Sequence, residues 1–332
     1  MNDAYYFLKR QLLWVVLGIA AMFILSRIDY KFLGKYSFIA LIVSLVLLAL
    51  VLVPGLGVTT NGATRWLGYG SLTFQPSELV KITLILFFAY SMSRPKQQEN
   101  IKKFPVFLMY LGIIGITDLL LYKEPHVSGI LIITVVGIFL LFMSGARIRH
   151  FLFFAIPGMA AIIILAIKLE HVRTRIIAFM DPFNYAQGEG WQVIQSLIAI
   201  GSGGLFGRGL GRSIQKYMYL PEPFNDFIFS ILAEELGFIG VFAVLALFVV
   251  FIWRGYKIAV SSSDKFGSLL AAGITTLIAV QVIMNIAVVT SSMPVTGVAL
   301  PFFSYGGSSL LFVMADMGIL LNVSKQARYD KF

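Results

Sequence analysis

The hydrophobic positions of this chain fall into long, nearly uninterrupted runs that are separated by short polar segments. Each run approaches the about 20 apolar residues that a helix needs to cross a ~30 Å hydrocarbon core. The pattern therefore predicts an all-α, polytopic bundle of about nine transmembrane helices. The predicted spans are residues 11–27, 37–54, 77–93, 104–121, 128–145, 151–168, 227–253, 267–290 and 303–323.

The basic residues between these spans alternate from side to side, and most of the 26 Lys and Arg lie on one side of the predicted membrane. Under the positive-inside rule this side is cytoplasmic, which places the C-terminus in the cytoplasm. Nine spans then put the N-terminus outside, where Lys9 and Arg10 oppose the rule. The cytoplasmic set comprises Arg27, Lys31, Lys35, Arg94, Lys96, Lys102, Lys103, Arg147, Arg149, Arg254, Lys257, Lys265, Lys325, Arg328 and Lys331.

Two long connections are predicted on the outer side, at residues 55–76 and 169–226. A connection as long as the second usually carries function or folds on itself. No linker-like or low-complexity stretch interrupts the sequence, so residues 1–332 are interpreted as a single domain.

The amino-acid composition also indicates a membrane protein. The mean hydropathy is +0.87 and charged residues make up 13% of the chain, whereas soluble domains carry roughly a quarter. There is no cysteine, and the three histidines do not form a metal-ligand pattern. The net charge of +10 is interpreted as membrane anchoring, not as a nucleic-acid surface.

Several ionisable residues lie inside the apolar segments, where burial of a charge costs at least ~2.5–3.5 kcal/mol. Glu78 and Lys81 are three residues apart at the start of a span, so they share a helix face and can form an ion pair. Alternatively, Lys81 binds an anionic head group near the outer surface. Asp118 and Asp316 are interpreted as structural.

A cluster of acids occupies "LPEPFNDFIFSILAEEL", residues 220–236. Asp226 lies at the predicted membrane boundary, where helix capping and catalysis are about equally plausible from the residues alone. On a continuous helix, Glu234 would lie ~12 Å deeper and ~80° around, and Glu235 on the opposite face. These acids are therefore expected to satisfy polar groups in the bundle and not to pair with Asp226.

The preceding stretch, "GSGGLFGRGLGRSIQK" at residues 201–216, combines glycines with Arg208, Arg212 and Lys216. As a dinucleotide fingerprint it is weak, because no strand precedes it. It could present backbone amides and cations to a phosphate, or it could simply need tight turns.

Three long motifs resemble the SEDS family of shape, elongation, division and sporulation proteins, which includes FtsW, RodA and SpoVE. They are "NGATRWLGYGSLTFQPSELVK" (61–81), "GWQVIQSLIAIGSGGLFGRGLGRSIQKYMYLPEPFNDFIFSILAEELGFIG" (190–240) and "SSMPVTGVALPFFSYGGSSLL" (291–311). The resemblance extends over nearly the whole chain. It implies a peptidoglycan glycosyltransferase that polymerises lipid II at the outer face of the cytoplasmic membrane, beside a class B penicillin-binding protein.

Two departures from the family pattern matter. Members usually have ten spans, so the first span is expected to be missing here, which would explain the positions of Lys9 and Arg10. Where many relatives have a "QPDLGT"-like motif this chain has "EPHVSG" (124–129), a variant that resembles the FtsW/SpoVE branch of Gram-positive bacteria.

The resemblance assigns the essential aspartate of the family to Asp226, here interpreted as the general base for an inverting transfer. Predicted ligands of the substrate diphosphate are Arg65, Lys81, Arg208, Arg212, Lys216, Ser304 and Tyr305. Predicted supporting residues are Glu78, Gln192, Gln195, Glu222, Glu234 and Glu235. A divalent ion such as Mg²⁺, held by Asp226 or Glu222, remains open.

Two other functions stay open, namely a lipid II flippase and a non-catalytic scaffold that recruits division, elongation or sporulation proteins. A flippase needs polar residues spread across the bilayer, whereas a polymerase concentrates them at one surface. In this sequence they collect at residues 55–81 and 169–235, which favours the polymerase.

Overall fold

The computed structural model describes residues 6–60, 63–69, 72–168, 170–186, 188–217 and 219–327. Each of the nine predicted spans coincides with a helix, and the all-α class is confirmed. Arg328 and Lys331, two of the predicted cytoplasmic residues, lie outside the described residues. The long helices are α1 (Tyr6–Arg27), α3 (Ser37–Val51), α4 (Pro76–Ser93), α6 (Phe104–Lys123), α7 (Val127–Met143), α8 (Ile148–Lys168), α11 (Ile228–Ser261), α12 (Lys265–Val289) and α13 (Gly307–Lys325).

Within the described part of the chain, five of these helices are long and apolar enough to cross a membrane. They are α1, α6, α11, α12 and α13. Shorter apolar helices lie at Ser37–Val51, Val127–Met143 and Ile148–Ala160. The chain is therefore a multi-pass membrane protein, and nine remains the predicted number of spans.

The first predicted outer loop contains a small sheet that the sequence analysis did not anticipate. Strands β1 (Gly57–Thr60), β2 (Ala63–Tyr69) and β3 (Leu72–Phe74) pair antiparallel in the order β1-β2-β3. Threonine and aromatic residues favour strands in these segments. The short strands are the one departure from a purely helical description of the residues that the structure covers.

The second predicted loop, 169–226, includes two helices. It contains α9 (Glu170–Met180) and α10 (Glu189–Ser202). The Oγ of Ser196 on α10 lies 2.7 Å from the Ser230 Oγ of α11, and it donates to the Val289 carbonyl at 2.6 Å. The loop is thus an ordered part of the helical structure.

The chain divides into two compact units, and the interpretation of residues 1–332 as a single domain stays a prediction. Unit 1 comprises Met1–Arg147, Ile252–Val280 and Gly306–Phe332, and unit 2 comprises Ile148–Phe251 and Gln281–Tyr305. In unit 1, α1 packs along α13, α3 along α4, and α6 along α7. Its core includes the fully buried Tyr30, Phe88 and Tyr110.

Candidate functional site

Asp226 lies in a turn that precedes α11. The turn is closed by hydrogen bonds from the Asn225 and Phe227 amides to the Glu222 carbonyl, at 3.2 and 3.4 Å. The Asn225 side chain also donates to the Glu222 carboxylate at 2.5 Å. Because α11 begins at Ile228, Asp226 is outside the first helical turn, and the predicted angles between it and Glu234 or Glu235 do not apply.

The backbone of this turn is held by a second segment of unit 2. Three consecutive carbonyl groups, from residue 224 to residue 226, each accept a hydrogen bond from residues 285–305. Such bonds fix the peptide planes on both sides of the Asp226 side chain. The donors are the Tyr305 amide to Phe224 (2.7 Å), the Ser304 hydroxyl to Asn225 (2.6 Å) and the Asn285 side-chain amide to Asp226 (2.8 Å).

Asn285 and Ser304 each make a further bond that ties this second segment together. The buried Asn285 amide also donates to the Val298 carbonyl at 2.7 Å. The buried Ser304 hydroxyl accepts from the Leu300 amide at 2.7 Å. Substrate binding by Ser304 stays a prediction, and in the structure its hydroxyl donates to the turn that carries Asp226.

The Asp226 carboxylate lies beside Gly297, which is exposed and has a φ of +71°. A Cβ at residue 297 would stand 3.2 Å from the Asp226 Oδ2. This position favours glycine for two reasons, namely its left-handed conformation and the space that the carboxylate needs. Asp226 itself is half-buried.

The two glutamates farther along α11 bind the glycine-rich stretch. Glu234, with 1% of its surface exposed, accepts from the Ser213 hydroxyl at 2.6 Å and from the Ile214 and Gln215 amides at 3.0 and 3.3 Å. Glu235 accepts from the Gly211 amide at 3.0 Å and from the Lys216 ammonium at 2.9 Å. Both carboxylates therefore accept hydrogen bonds from the glycine-rich stretch.

The same stretch is joined to α11 through the backbone, at a break in the helix around Gly237 (φ +66°). A Cβ on Gly237 would approach the Gly207 nitrogen to 2.2 Å. Only glycines allow so close an approach of two backbones. The bonds run from the Arg208 and Gly209 amides to the Glu234 and Glu235 carbonyls, and from the Phe238 and Ile239 amides to the Gly204 and Leu205 carbonyls.

The three predicted phosphate-binding cations of this stretch differ in their surroundings. Lys216 is paired with Glu235, and the Arg208 guanidinium lies 3.6 Å from the Glu234 carboxylate. Arg212 is exposed. Two of the three charges are therefore compensated, and Arg212 is the most accessible of them to an anion.

In unit 1, Glu78 and Lys81 form the predicted ion pair, with 2.7 Å between the Lys81 Nζ and the Glu78 Oε1. Both side chains are buried in α4. Binding of an anionic ligand by Lys81 would have to compete with this contact.

Arg65, on β2, donates to the Glu124 carbonyl at 3.1 Å and also to the Pro125 carbonyl. It therefore joins the small sheet to the turn that begins the "EPHVSG" motif. The Glu124 carboxylate beside it is buried, and neither oxygen has a hydrogen-bond partner among the described residues. Burial raises the pKa of Glu124 to about 8, although the Arg65 charge acts in the opposite direction.

His126, in the same turn, is also buried. Burial, with help from the Arg65 and Lys81 charges, lowers the pKa of His126 to about 3. At neutral pH both Glu124 and His126 are therefore uncharged, and Arg65 and Lys81 lie near a polar but neutral turn.

Two of the predicted supporting residues lie on the helix that precedes the glycine-rich stretch. Gln192 and Gln195 lie on α10, the first half-buried and the second buried. Across the residues that the structure describes, no group of three His, Cys, Asp or Glu side chains could hold a metal ion. A divalent cation at Asp226 would thus need most of its ligands from phosphate oxygens and water.

Sequence reasoning missed Asn285 and Gly297. Asn285 had a visible signal, since it is a strongly polar residue inside the apolar run "QVIMNIAVV", where such residues usually have a partner or a function. Gly297 had none, because its role depends on a carboxylate that is distant in sequence.

The fold and this site define a class, namely multi-pass helical membrane proteins that hold an aspartate on a braced turn at the start of a long helix. The sequence profile described as "Cell cycle protein" (FtsW/RodA/SpoVE) matches residues 1–329. The chain belongs to this family.

Individual relatives agree with this assignment. The chain is 44% identical to stage V sporulation protein E of Bacillus subtilis, over 99% of this chain and 89% of that protein. It is 41% identical to the probable peptidoglycan glycosyltransferase FtsW of Geobacter metallireducens, over 98% and 87% of the two chains.

Solved structures show the same fold. A peptidoglycan synthase complex, described as coordinating polymerization and crosslinking, contains a chain that matches with a TM-score of 0.81 and 31% identity, covering 98% of this chain and 91% of that one. The rod shape determining protein RodA of Thermus thermophilus matches with a TM-score of 0.70 and 29% identity, covering 99% and 90%.

Proposed function

We propose that this protein is a peptidoglycan glycosyltransferase that polymerises lipid II into β-1,4-linked glycan strands at the outer face of the cytoplasmic membrane. Several relatives at about this level of similarity are named probable peptidoglycan glycosyltransferase FtsW. The observation that carries the proposal is the Asp226 carboxylate, half-buried beside the exposed Gly297 on a turn held by three hydrogen bonds.

The reaction suits a single carboxylate. Lipid II is an α-linked sugar diphosphate and the product is β-linked, so one inverting displacement forms the glycosidic bond and breaks the bond to the diphosphate. Asp226 accepts the proton of the acceptor 4-hydroxyl as that oxygen attacks the anomeric carbon. A general base of this kind contributes typically 10²–10⁴-fold to the rate.

The bracing of the turn gives this base a fixed position. A catalytic group that is held in place by the fold does not lose conformational freedom when the reaction occurs. Asn285 and Ser304 are therefore positioning residues, which act through the backbone of residues 224–226.

The leaving undecaprenyl diphosphate needs positive charge. The exposed Arg212 is the best placed of the glycine-rich cations for this role, since Arg208 and Lys216 neutralise Glu234 and Glu235. Lys81 and Arg65 would take part only by giving up bonds that they make in the structure. A divalent cation that binds the diphosphate would supply further charge.

The proposed partner is a class B penicillin-binding protein, which would crosslink the strands. Support comes from the similarity to a chain of the peptidoglycan synthase complex. The relatives include both a sporulation protein and FtsW proteins, so the proposal extends to cell-wall synthesis and leaves the process (division, elongation or sporulation) open. No nucleic-acid partner is proposed.

The test is polymerisation of labelled lipid II by the purified protein with its penicillin-binding partner. We expect glycan ladders from the wild type and none from Asp226→Asn, while Glu99→Gln on the exposed part of α5 (Pro95–Asn100) retains them. Unchanged ladders from Asp226→Asn would overturn the role of this residue. Absence of ladders from the wild type would favour the scaffold.

Transport of lipid II is the second candidate, because unit 1 buries charged groups within its helices. Besides Glu78 and Lys81, Asp316 on α13 is 1% exposed, and its Oδ1 has no hydrogen-bond partner in the part of the chain that the structure describes. Protein-dependent movement of lipid II across vesicles, without ladder formation and lost in Lys81→Met, would establish the transporter.

A further inference from the structure

Residues 189–217, with residues 219 and 220, form a hairpin that runs along α11 and returns. Near its open end, the Trp191 indole donates to the Tyr219 carbonyl at 2.8 Å. Farther along, Ser196 lies beside Ser230, and a Cβ on Gly203 would meet the Ala233 carbonyl. The tip, Gly204–Gly211, is bonded to residues 234–239 of α11. The tip therefore lies along α11, beyond the first turns of that helix.

The position of this tip relative to the membrane is inferred from the apolar part of α11 to which it is bonded. This helix is interrupted at Gly237, and the part that follows the break, residues 238–251, carries no charged residue. Trp253 and Arg254 are of the residue types that mark a membrane interface. The charge-free segment begins beside the tip, because the Phe238 and Ile239 amides donate to the Gly204 and Leu205 carbonyls, and a membrane boundary is placed at this level.

Exposed side chains on α11 agree with this boundary. Exposed large apolar residues begin at Phe238 and continue through Ile239, Phe242, Leu247 and Val250. A surface of this kind on a membrane helix faces lipid. The hairpin tip is bonded to the segment where this surface begins.

The tip itself is built to contact lipid. Leu205, Phe206 and Leu210 expose 63%, 80% and 78% of their surfaces, which is unfavourable in water at ~25 cal/mol per Å² of apolar area. The exposed Arg212 follows them. Irregular backbone is tolerated near hydrocarbon only where protein satisfies its polar groups, and the bonds to α11 supply this satisfaction.

We propose that residues 204–212 form a membrane-inserted loop, with Leu205, Phe206 and Leu210 in the acyl chains of the leaflet and Arg212 at the level of the lipid phosphates. The loop is inferred to contact lipid and not another protein, because it continues the apolar surface of α11 and because Arg212 has the charge that complements a lipid phosphate. The loop would hold the glycine-rich hairpin at the depth where a lipid-linked diphosphate lies.

The absence of cysteine makes the depth of this loop measurable. A nitroxide label on Phe206→Cys in the full-length chain, reconstituted in phospholipid nanodiscs, is tested for collisions with oxygen, which partitions into lipid, and with a water-soluble nickel chelate. Phe242→Cys on α11, 64% exposed in the wild type, is the lipid reference. Tyr219→Cys at the open end of the hairpin, 52% exposed, is the aqueous reference.

We expect the label at residue 206 to behave as it does at residue 242, with oxygen collisions exceeding nickel collisions several-fold. A label on Leu210→Cys should give the same result. Nickel accessibility equal to that at residue 219 would overturn the proposal. So would low accessibility to both reagents, which would indicate that protein covers the loop. Neither result depends on glycosyltransferase activity, so failure here is separable from failure of the proposed function.

Discussion

Asp226 and Glu234 are eight residues apart in one acidic stretch, yet the fold treats them in opposite ways. The carboxylate of Glu234 is buried and accepts three hydrogen bonds. At Asp226 the described bonds from residues 285–305 go to the backbone, and the side chain is half-buried beside a glycine. The Glu234 carboxylate therefore stabilises a loop, whereas at Asp226 the bonded backbone of the turn fixes the position of the carboxylate.

The largest expected effect on stability is at Glu234. Glu234→Gln places an amide NH₂ opposite one of two backbone N–H groups, that of residue 214 or that of residue 215, because these bond to different carboxylate oxygens. It also removes the negative charge beside Arg208. Loss of one partner of a buried charged group costs typically ~3–5 kcal/mol. We expect a loss of about 3 kcal/mol, measured as a lower melting temperature in detergent.

The matched control is Glu235→Gln, because Glu235 is half-buried and keeps solvent access. Its melting temperature should fall by clearly less. Equal losses for the two variants would contradict the distinction between them.

The next largest effect is expected for Gly297→Ala. Alanine is strained at a φ of +71°, and its Cβ would contact the Asp226 carboxylate. Because a small misplacement of a catalytic group can cost 10²-fold, we expect a ~10–100-fold lower polymerisation rate. Gly112→Ala, where a Cβ meets open space, serves as the control and should keep the wild-type rate. A similar loss of rate in Gly112→Ala would show that the effect of Gly297→Ala does not arise from contact with Asp226.

Asn285→Ala should have a smaller effect. It removes two hydrogen bonds and leaves the Asp226 and Val298 carbonyls without this donor. A lost bond of this kind costs ~1–3 kcal/mol, so we expect about a 10-fold lower rate with little change in KM for lipid II. Gln281→Ala, one turn earlier on α12 and also buried, should keep the rate. Equal rates for both variants would remove the positioning role.

The smallest effect concerns pH. Because the pKa of Glu124 is raised to about 8 in the folded protein, its contribution to stability is present at low pH and is lost as the pH rises through 8. His126, with its pKa lowered to about 3, is neutral in the folded protein across this range, and in the unfolded chain it becomes neutral above about pH 7.5, one unit above the ordinary His pKa of ~6.5. Between about pH 7.5 and 8.5 the wild-type melting temperature should therefore fall, and Glu124→Gln should flatten this slope.

Glu99→Gln, on the exposed part of α5, is the control for this measurement. It should leave the wild-type slope in place. A Glu124→Gln protein with the full wild-type slope would show that another group titrates.

The residues that could be predicted from sequence are those whose partners are close in the chain. Apolar runs located the long helices, and the three-residue spacing located the Glu78–Lys81 pair. The bonds from Asn285 to the Asp226 turn could not be predicted, since the partners are 59 positions apart. The hydrogen bonds from residues 213–215 to the Glu234 carboxylate could not be predicted either. They form only because α11 is broken at Gly237 and the hairpin returns along this helix.

The small sheet at Gly57–Phe74 was missed for a different reason. Its strands are short and surrounded by glycine, so neither a clear alternation nor a long run marks them. The family resemblance identified Asp226, and the structure adds the three hydrogen bonds that fix the backbone of residues 224–226.

The most direct measurement compares single-turnover rates of glycosidic bond formation with melting temperatures in the same preparations of wild type, Asp226→Asn and Glu235→Gln. We predict that Asp226→Asn lowers the rate at least ~100-fold while its melting temperature stays at the wild-type value. Glu235→Gln should keep a measurable rate. A wild-type rate in Asp226→Asn, or a rate loss that accompanies unfolding, would contradict the account.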